Sequence, residues 1–107
     1  MANKTPAETY IGFAIRARKF KVGVNAVKTL KKAELLILCR SAAANTVKEA
    51  KKLAVKLKAP LIKTVKKDLE EITYIGNGKL MAVLDKELTK AILSAMGEEF
   101  VYYDTEA

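Results

Sequence analysis

The sequence predicts an α/β fold, a three-layer α/β/α sandwich around a largely parallel sheet, in one domain over residues 1–107. Two observations carry that expectation. Leu35 to Cys39 and Leu80 to Leu84 are continuous apolar runs of strand length, and Leu61 to Val65 is a third strand-length run, all suited to strands covered on both faces. Between them apolar residues return at steps of three and four, the period of a helix with one buried side. Strands alternating with such helices place helices on both faces of a sheet.

The elements follow in order. Thr5-Pro6-Ala7-Glu8 supplies a hydroxyl cap, a proline at the first helical position and a Glu that can reach back to the cap amide. Tyr10, Phe13, Ala14 and Ala17 then predict a buried stripe, with Glu8, Arg16 and Lys19 in water and an end near Phe20. Lys21-Val22 is expected to be briefly extended before Gly23, whose backbone freedom permits a sharp entry into a second helix over Val24 to Ala33. There Val24, Val27 and Leu30 take the buried side, opposite Asn25, Lys28, Thr29 and Lys32.

After the strand Leu35 to Cys39, Ser41 is the expected cap of a long helix reaching Lys58. Its stripe Val47, Ala50, Ala54 and Leu57 opposes Lys48, Lys51, Lys52 and Lys56. Pro60 closes it, because proline pushes the residue before it out of the helical region. Lys66 to Ile72 reads as a short charged helical connection and Gly76-Asn77-Gly78 as a turn. Asp85 caps a last helix with Leu88, Ala91, Ile92 and Ala95 inward and Gly97 at its end. The acidic, aromatic tail, residues 98–107, is expected either to drape loosely or to add a strand.

Charge points to a partner class. From Ile11 to Lys67 there are 16 Lys and Arg against two acids, and from Asp68 onward three Lys against nine acids. A chain so polarised is expected to offer a positive face to a polyanion, of which nucleic acid is the commonest. Catalytic chemistry is poorly supplied: histidine is absent, which removes the usual base and the commonest metal ligand. No phosphate-cradling Gly-x-x-x-x-Gly-Lys loop occurs, and Gly76-x-Gly78 lacks the third glycine of a dinucleotide fingerprint. Asp68, Glu70 and Glu71 read as solvated helix charge rather than a cation site. Cys39, the single cysteine, sits in an apolar run and is expected to pack as a small hydrophobe. The expectation is a protein without enzymatic activity, metal or cofactor. No run approaches the roughly 20 apolar residues of a membrane span, and no secretory pattern opens the chain, so a cytoplasmic, non-membrane protein is expected.

Two stretches resemble a known family. Gly12-Phe13-Ala14-Ile15-Arg16-Ala17-Arg18-Lys19, followed by Gly23 and Ala26-Val27, is similar to the opening of the bacterial YlxQ-like branch of the kink-turn-binding ribosomal protein family, the L-seven-Ae and L-thirty-e type. Ser41-Ala42-Ala43-Ala44-Asn45-Thr46 with Lys48 resembles the Ala-Ser-x-Asn-Thr stretch with which those proteins begin their third helix. The likeness spans roughly Thr5 to Met96. It implies an α/β/α sandwich with a four-stranded mixed sheet. It also implies binding of structured RNA, ribosomal RNA included, at kinked helix–internal loop–helix elements in a ribonucleoprotein.

Carried over by position, the implied contacts are Gly23 and Asn25 at the helix entry with Lys28 beyond, Arg40 and Ser41 after the second strand, and Lys66 and Lys67 after the third; Lys32, on the polar face of the second helix, completes the candidate set. The family's Gly-x-Asn-Glu pattern is only partly kept. Ala26 stands at the Glu position, Arg18 where the family has Gly after Arg-Ala, and Leu69-Glu70 at the Leu-Gly of the apical loop. A Glu at the helix entry accepts from guanine donors, whereas Ala26 offers only backbone, so base discrimination is expected to weaken while phosphate contact survives. The alternative is a protein-interaction module, ribosome-associated proteins among its partners, working through the acidic half and the tail aromatics Phe100, Tyr102 and Tyr103.

Overall fold

A computed structural model describes residues 5–76 and 78–103. Asn77 of the expected turn and residues 104–107 of the tail lie outside the described residues. Along the chain run α1 (Pro6–Arg16), β1 (Phe20–Val22), α2 (Val24–Lys28), β2 (Leu35–Leu38), α3 (Ala44–Leu57), β3 (Leu61–Thr64), α4 (Leu69–Thr73), β4 (Leu80–Val83), α5 (Lys86–Ser94) and β5 (Phe100–Tyr102).

The described strands form one five-stranded mixed sheet in the order β1-β4-β2-β3-β5. The expected largely parallel sheet is not found: β2 and β3 alone pair in parallel, and β1/β4, β2/β4 and β3/β5 are antiparallel. The long helix α3 provides the crossover that a parallel pair requires, whereas β4 enters between β1 and β2 and runs against both. The sheet has five strands rather than four because part of the tail joins it, Phe100 standing opposite Thr64 and Tyr102 opposite Ile62.

The period of two along a strand divides the core. Leu35, Ile37, Met81 and Val83 face Ala7, Ile11 and Ala14 of α1, Leu69 and Ile72 of α4 and Ile92 of α5. Leu36, Leu38, Leu80 and Ala82 face Val27 of α2 and Ala50, Leu53, Ala54 and Leu57 of α3. Every position of β2 and β4 is therefore buried, which is why their sequences are apolar without alternation. Each such Leu or Ile contributes about 1.5–3 kcal/mol by leaving water.

Several local expectations shift. The buried stripe of α1 is Ala7, Ile11 and Ala14; Phe13 is 41% exposed, Ala17 is exposed and Tyr10 half-buried. Both stripes satisfy the three-and-four spacing, and only packing on the sheet chooses between them. Glu8, expected in water, is buried, because it is held by the Thr5 cap and by Lys67. The helix ends at Arg16 rather than near Phe20: Arg18 takes a left-handed φ of 58°, its N–H donates to Ile15 O and that of Lys19 donates to Ala14 O. Phe20 is thereby released into β1.

Helix α2 stops at Lys28, short of Ala33, yet Val24, Val27 and Leu30 pack inward as expected. Asp85 caps α5 by accepting from the Leu88 N–H at 2.9 Å. Cys39 is buried, as expected of a small hydrophobe. Among the described residues no helix is long and apolar enough to cross a membrane.

Candidate functional site

Strand directions decide which predicted residues meet. Beta strands 1, 2 and 3 all finish at the edge of the sheet where β4 starts: Val22 is opposite Met81, Leu38 is opposite Leu80 and beside Lys63, and the Cys39 N–H donates to Lys79 O. Gly23 and Asn25, Arg40 and Ser41, and Lys66 and Lys67 follow those three strand ends. They therefore converge on one end of the sheet although the sequence separates them. Lys28 lies one turn along α2 and pairs with Glu49 of α3 at 3.4 Å. Lys32 does not belong to the set. It pairs with Glu34 at 3.6 Å, and Glu34 leads into β2 at the opposite end, its N–H bonded to Val83 O. Because α2 is five residues long rather than ten, the chain has already turned back toward the far edge at Lys32.

Three helices begin at this end, α2, α3 and, behind its Asp68 cap, α4. Gly23 caps α2 at φ 97° and ψ 144°, conformational space that suits glycine, with its N–H donating to Leu80 O at 2.8 Å. Asn25, two residues on, is exposed. The cap of α3 is Ala43, not Ser41, because Arg40 and Ser41 form a turn in which the Ala42 N–H donates to Cys39 O. Neither α2 nor α3 has a side-chain cap, so first-turn N–H groups stay open. Both starts add positive potential to the same end, and α2 packs against α3. Asn45 and Lys48 on α3 and Lys21 before Gly23 are exposed there, and Lys21 and Lys48 have no ion pair among the described residues. These contributors were not in the predicted contact set. The signal for Lys48 was its place one turn beyond Asn45 in the stretch that resembles the family's third helix.

The remaining predicted cations are occupied. Arg40 donates from Nε to Asp68 Oδ1 at 3.0 Å and from Nη1 to Val65 O at 3.1 Å, and its backbone N–H donates to Thr64 Oγ1. This pairing holds the Asp68 carboxyl below the usual carboxylate range. Lys66 lies 3.9 Å from Glu99. Lys67 donates to Glu8 Oε1 at 3.1 Å, and that bond raises its pKa above the ordinary lysine value. Lys79, which sequence reading passed over, donates to Ser41 Oγ and to Glu70 Oε1, each at 3.0 Å. Its position just before the strand that pairs with β2 put it there.

These bonds overturn the simple picture of a basic half and an acidic half. The acids of the α4 region lie on the cations of the β2 and β3 ends, and Arg40, Lys66 and Lys67 mainly hold loops in place. Ser41 beside Lys79 has the outline of a nucleophile and base. Glu70 keeps that lysine protonated, with its pKa raised, so it cannot take the Ser41 proton at neutral pH. Among the described residues no group of three or more His, Cys, Asp or Glu could hold a metal ion. The tail aromatics separate: Phe100 is buried in the core, Tyr102 is 64% exposed, and Tyr103 receives Lys51 and Lys63 against its ring at 4.9 and 5.3 Å.

No protein-family model and no curated protein matches the chain. Among solved structures it is similar to a protein with unknown function from Bacillus halodurans C, at 19% identity and a TM-score of 0.72 over 87% of this chain and 98% of that one. That likeness is one of fold.

Proposed function

We propose that the chain binds structured RNA without turnover, at the sheet end where α2 and α3 begin. One observation carries the reading: two uncapped helix starts, distant in sequence, lie together beside exposed Lys21, Asn25, Lys28 and Lys48. Open N–H groups and ammonium groups suit phosphates, and the Asn25 amide suits a base edge. The resemblance to kink-turn binders singles out Gly23, Asn25 and Lys28, and these residues follow β1 at the end where α2 and α3 begin. Arg40, Ser41, Lys66 and Lys67 then serve chiefly as positioning residues, each already bonded within the fold. In this reading the protein is a cytoplasmic ribonucleoprotein component, with ribosomal RNA among its structured targets.

The test is a titration of a kink-turn RNA and a matched continuous duplex against the wild type and the Asn25→Ala, Lys28→Ala double variant. The variant is expected to lose on the order of 1 to 3 kcal/mol on the kink-turn. Equal affinity of wild type and variant for that RNA would remove the site assignment. Equal, negligible affinity of the wild type for both RNAs would remove the function.

A further inference from the structure

Among the described residues the outer edge of β1 is open. Gly23 N–H donates to Leu80 O and Leu84 N–H donates to Lys19 O, each at 2.8 Å, and Lys21 stands opposite Ala82 between them. Antiparallel alternation then turns the N–H and C=O of Phe20 and Val22 away from β4. Since β1 ends the sheet, these groups meet no further strand. Beside them is a groove of about 660 Å³ lined by Ile15, Phe20, Val22 and Ile75 together with Arg18 and Lys21. No acidic side chain lines it, and neither cation has an ion pair among the described residues. Arg18 lines the groove from a left-handed backbone position, φ 58°, that glycine adopts at less cost.

We infer that the open edge of β1 takes an extended acidic peptide strand from a partner protein, paired with the outward N–H and C=O groups of Phe20 and Val22 and flanked by Arg18 and Lys21. The backbone groups select a peptide. A nucleic-acid strand brings phosphate acceptors for the two N–H groups but a poor match for the two carbonyls, whereas an added β-strand satisfies both. The unpaired cations select acidic residues, and the apolar lining selects a hydrophobic residue at alternate positions. Three residues is also a short edge, which limits indiscriminate pairing.

The experiment uses the full chain and a fluorescein-labelled octapeptide alternating valine and glutamate. An alternating valine and lysine octapeptide and an octauridylate are the comparison probes. Anisotropy reads affinity, and backbone amide exchange reads pairing. The valine–glutamate peptide is expected to bind and to slow exchange of the Phe20 and Val22 amides by about tenfold or more, leaving that of Lys21, already bonded to Ala82, unchanged. The double variant Arg18→Glu, Lys21→Glu is expected to lose about tenfold in affinity with its circular dichroism intact. Should that variant not fold, amide protection in the wild type decides alone. No binding of the valine–glutamate peptide, equal binding of the lysine peptide, or binding without protection at Phe20 and Val22 overturns the proposal. Protection of those amides by octauridylate in place of the peptide assigns the groove to RNA and overturns it as well. Kink-turn affinity of the wild type, measured in parallel, tests the RNA reading separately from the peptide.

Discussion

Arg40 Nε lies 3.0 Å from Asp68 Oδ1, joining the end of β2 to the cap of α4 across 28 residues of sequence. Asp68 also forms a capping box with Glu71, its own N–H donating to Glu71 Oε2 at 2.8 Å. The carboxylate is thus held by a guanidinium and by a helix start at once.

A pH dependence follows from that pairing. The folded pKa of Asp68 is lowered, first by the Arg40 hydrogen bond. A lowered carboxyl supports the fold above its unfolded value of about 3.9 and loses that support as pH falls through the folded value. Thermal melts of wild type and Asp68→Asn between about pH 2 and pH 7 should converge at the acid end and separate above it. Parallel curves across the whole range would remove Asp68 as a contributor.

Arg18 stores a small strain at the end of α1. Its φ of 58° is one that glycine reaches without a Cβ clash. Arg18→Gly should raise stability by about 0.5–1 kcal/mol in urea titration, the left-handed cost removed being partly offset by the greater freedom of the unfolded glycine. A loss of stability would mean that the guanidinium contributes to the fold beyond the ion pairs among the described residues, of which it has none.

The tail is part of the core. Phe100→Ala should cost about 3–5 kcal/mol, as large aromatic deletions in cores do, because its ring is 1% exposed against β3 and the α1 side. Tyr102→Ala, on the same strand but 64% exposed, should stay within about 0.5 kcal/mol. Similar denaturation midpoints for the two variants would show that β5 does not belong to the cooperative unit.

Ala26 tests base reading. It follows the exposed Asn25 in the first turn of α2. Ala26→Glu should favour a kink-turn over a duplex by roughly tenfold more than the wild type does, within the about 1–3 kcal/mol that a good base-edge contact supplies. An unchanged ratio in paired binding assays would mean that the α2 entrance does not approach a base.

Salt dependence separates Lys48 from Lys32, the lysine that the sequence placed in the contact set. Lys48→Ala should reduce the slope of log affinity against log salt by roughly one, the contribution of one phosphate contact. Lys32→Ala, at the far end of the sheet beside Glu34, should leave it unchanged. Reversed behaviour would move the RNA to the other end of the molecule.

How much was legible follows from the range of the forces involved. Thr5 and Asp85 announced their helices because a cap is completed within three residues, and β2 and β4 announced themselves because burial on both faces leaves no room for polar alternation. Pro60 likewise announced the end of α3, whereas the left-handed Arg18, which ends α1, carried no such mark, since it is not glycine.

The sequence by itself determined the order of helices and strands as far as α5, the apolar stripes in α2 and α3, and the concentration of cations before Asp68. Only the tertiary structure decided that Ile11 rather than Phe13 is buried, since both fit a helical stripe and the sheet admits one face. Strand direction likewise lay beyond local pattern: β4 runs against both β1 and β2, and this gathers the loops after β1, β2 and β3. That same folding sets Asp68 on Arg40, Glu8 on Lys67 and Glu70 on Lys79. A residue count cannot foresee such neutralisation, because ion pairs form between neighbours in space. The cations at this end without ion pairs among the described residues, Lys21 and Lys48, emerge only when those pairs are known.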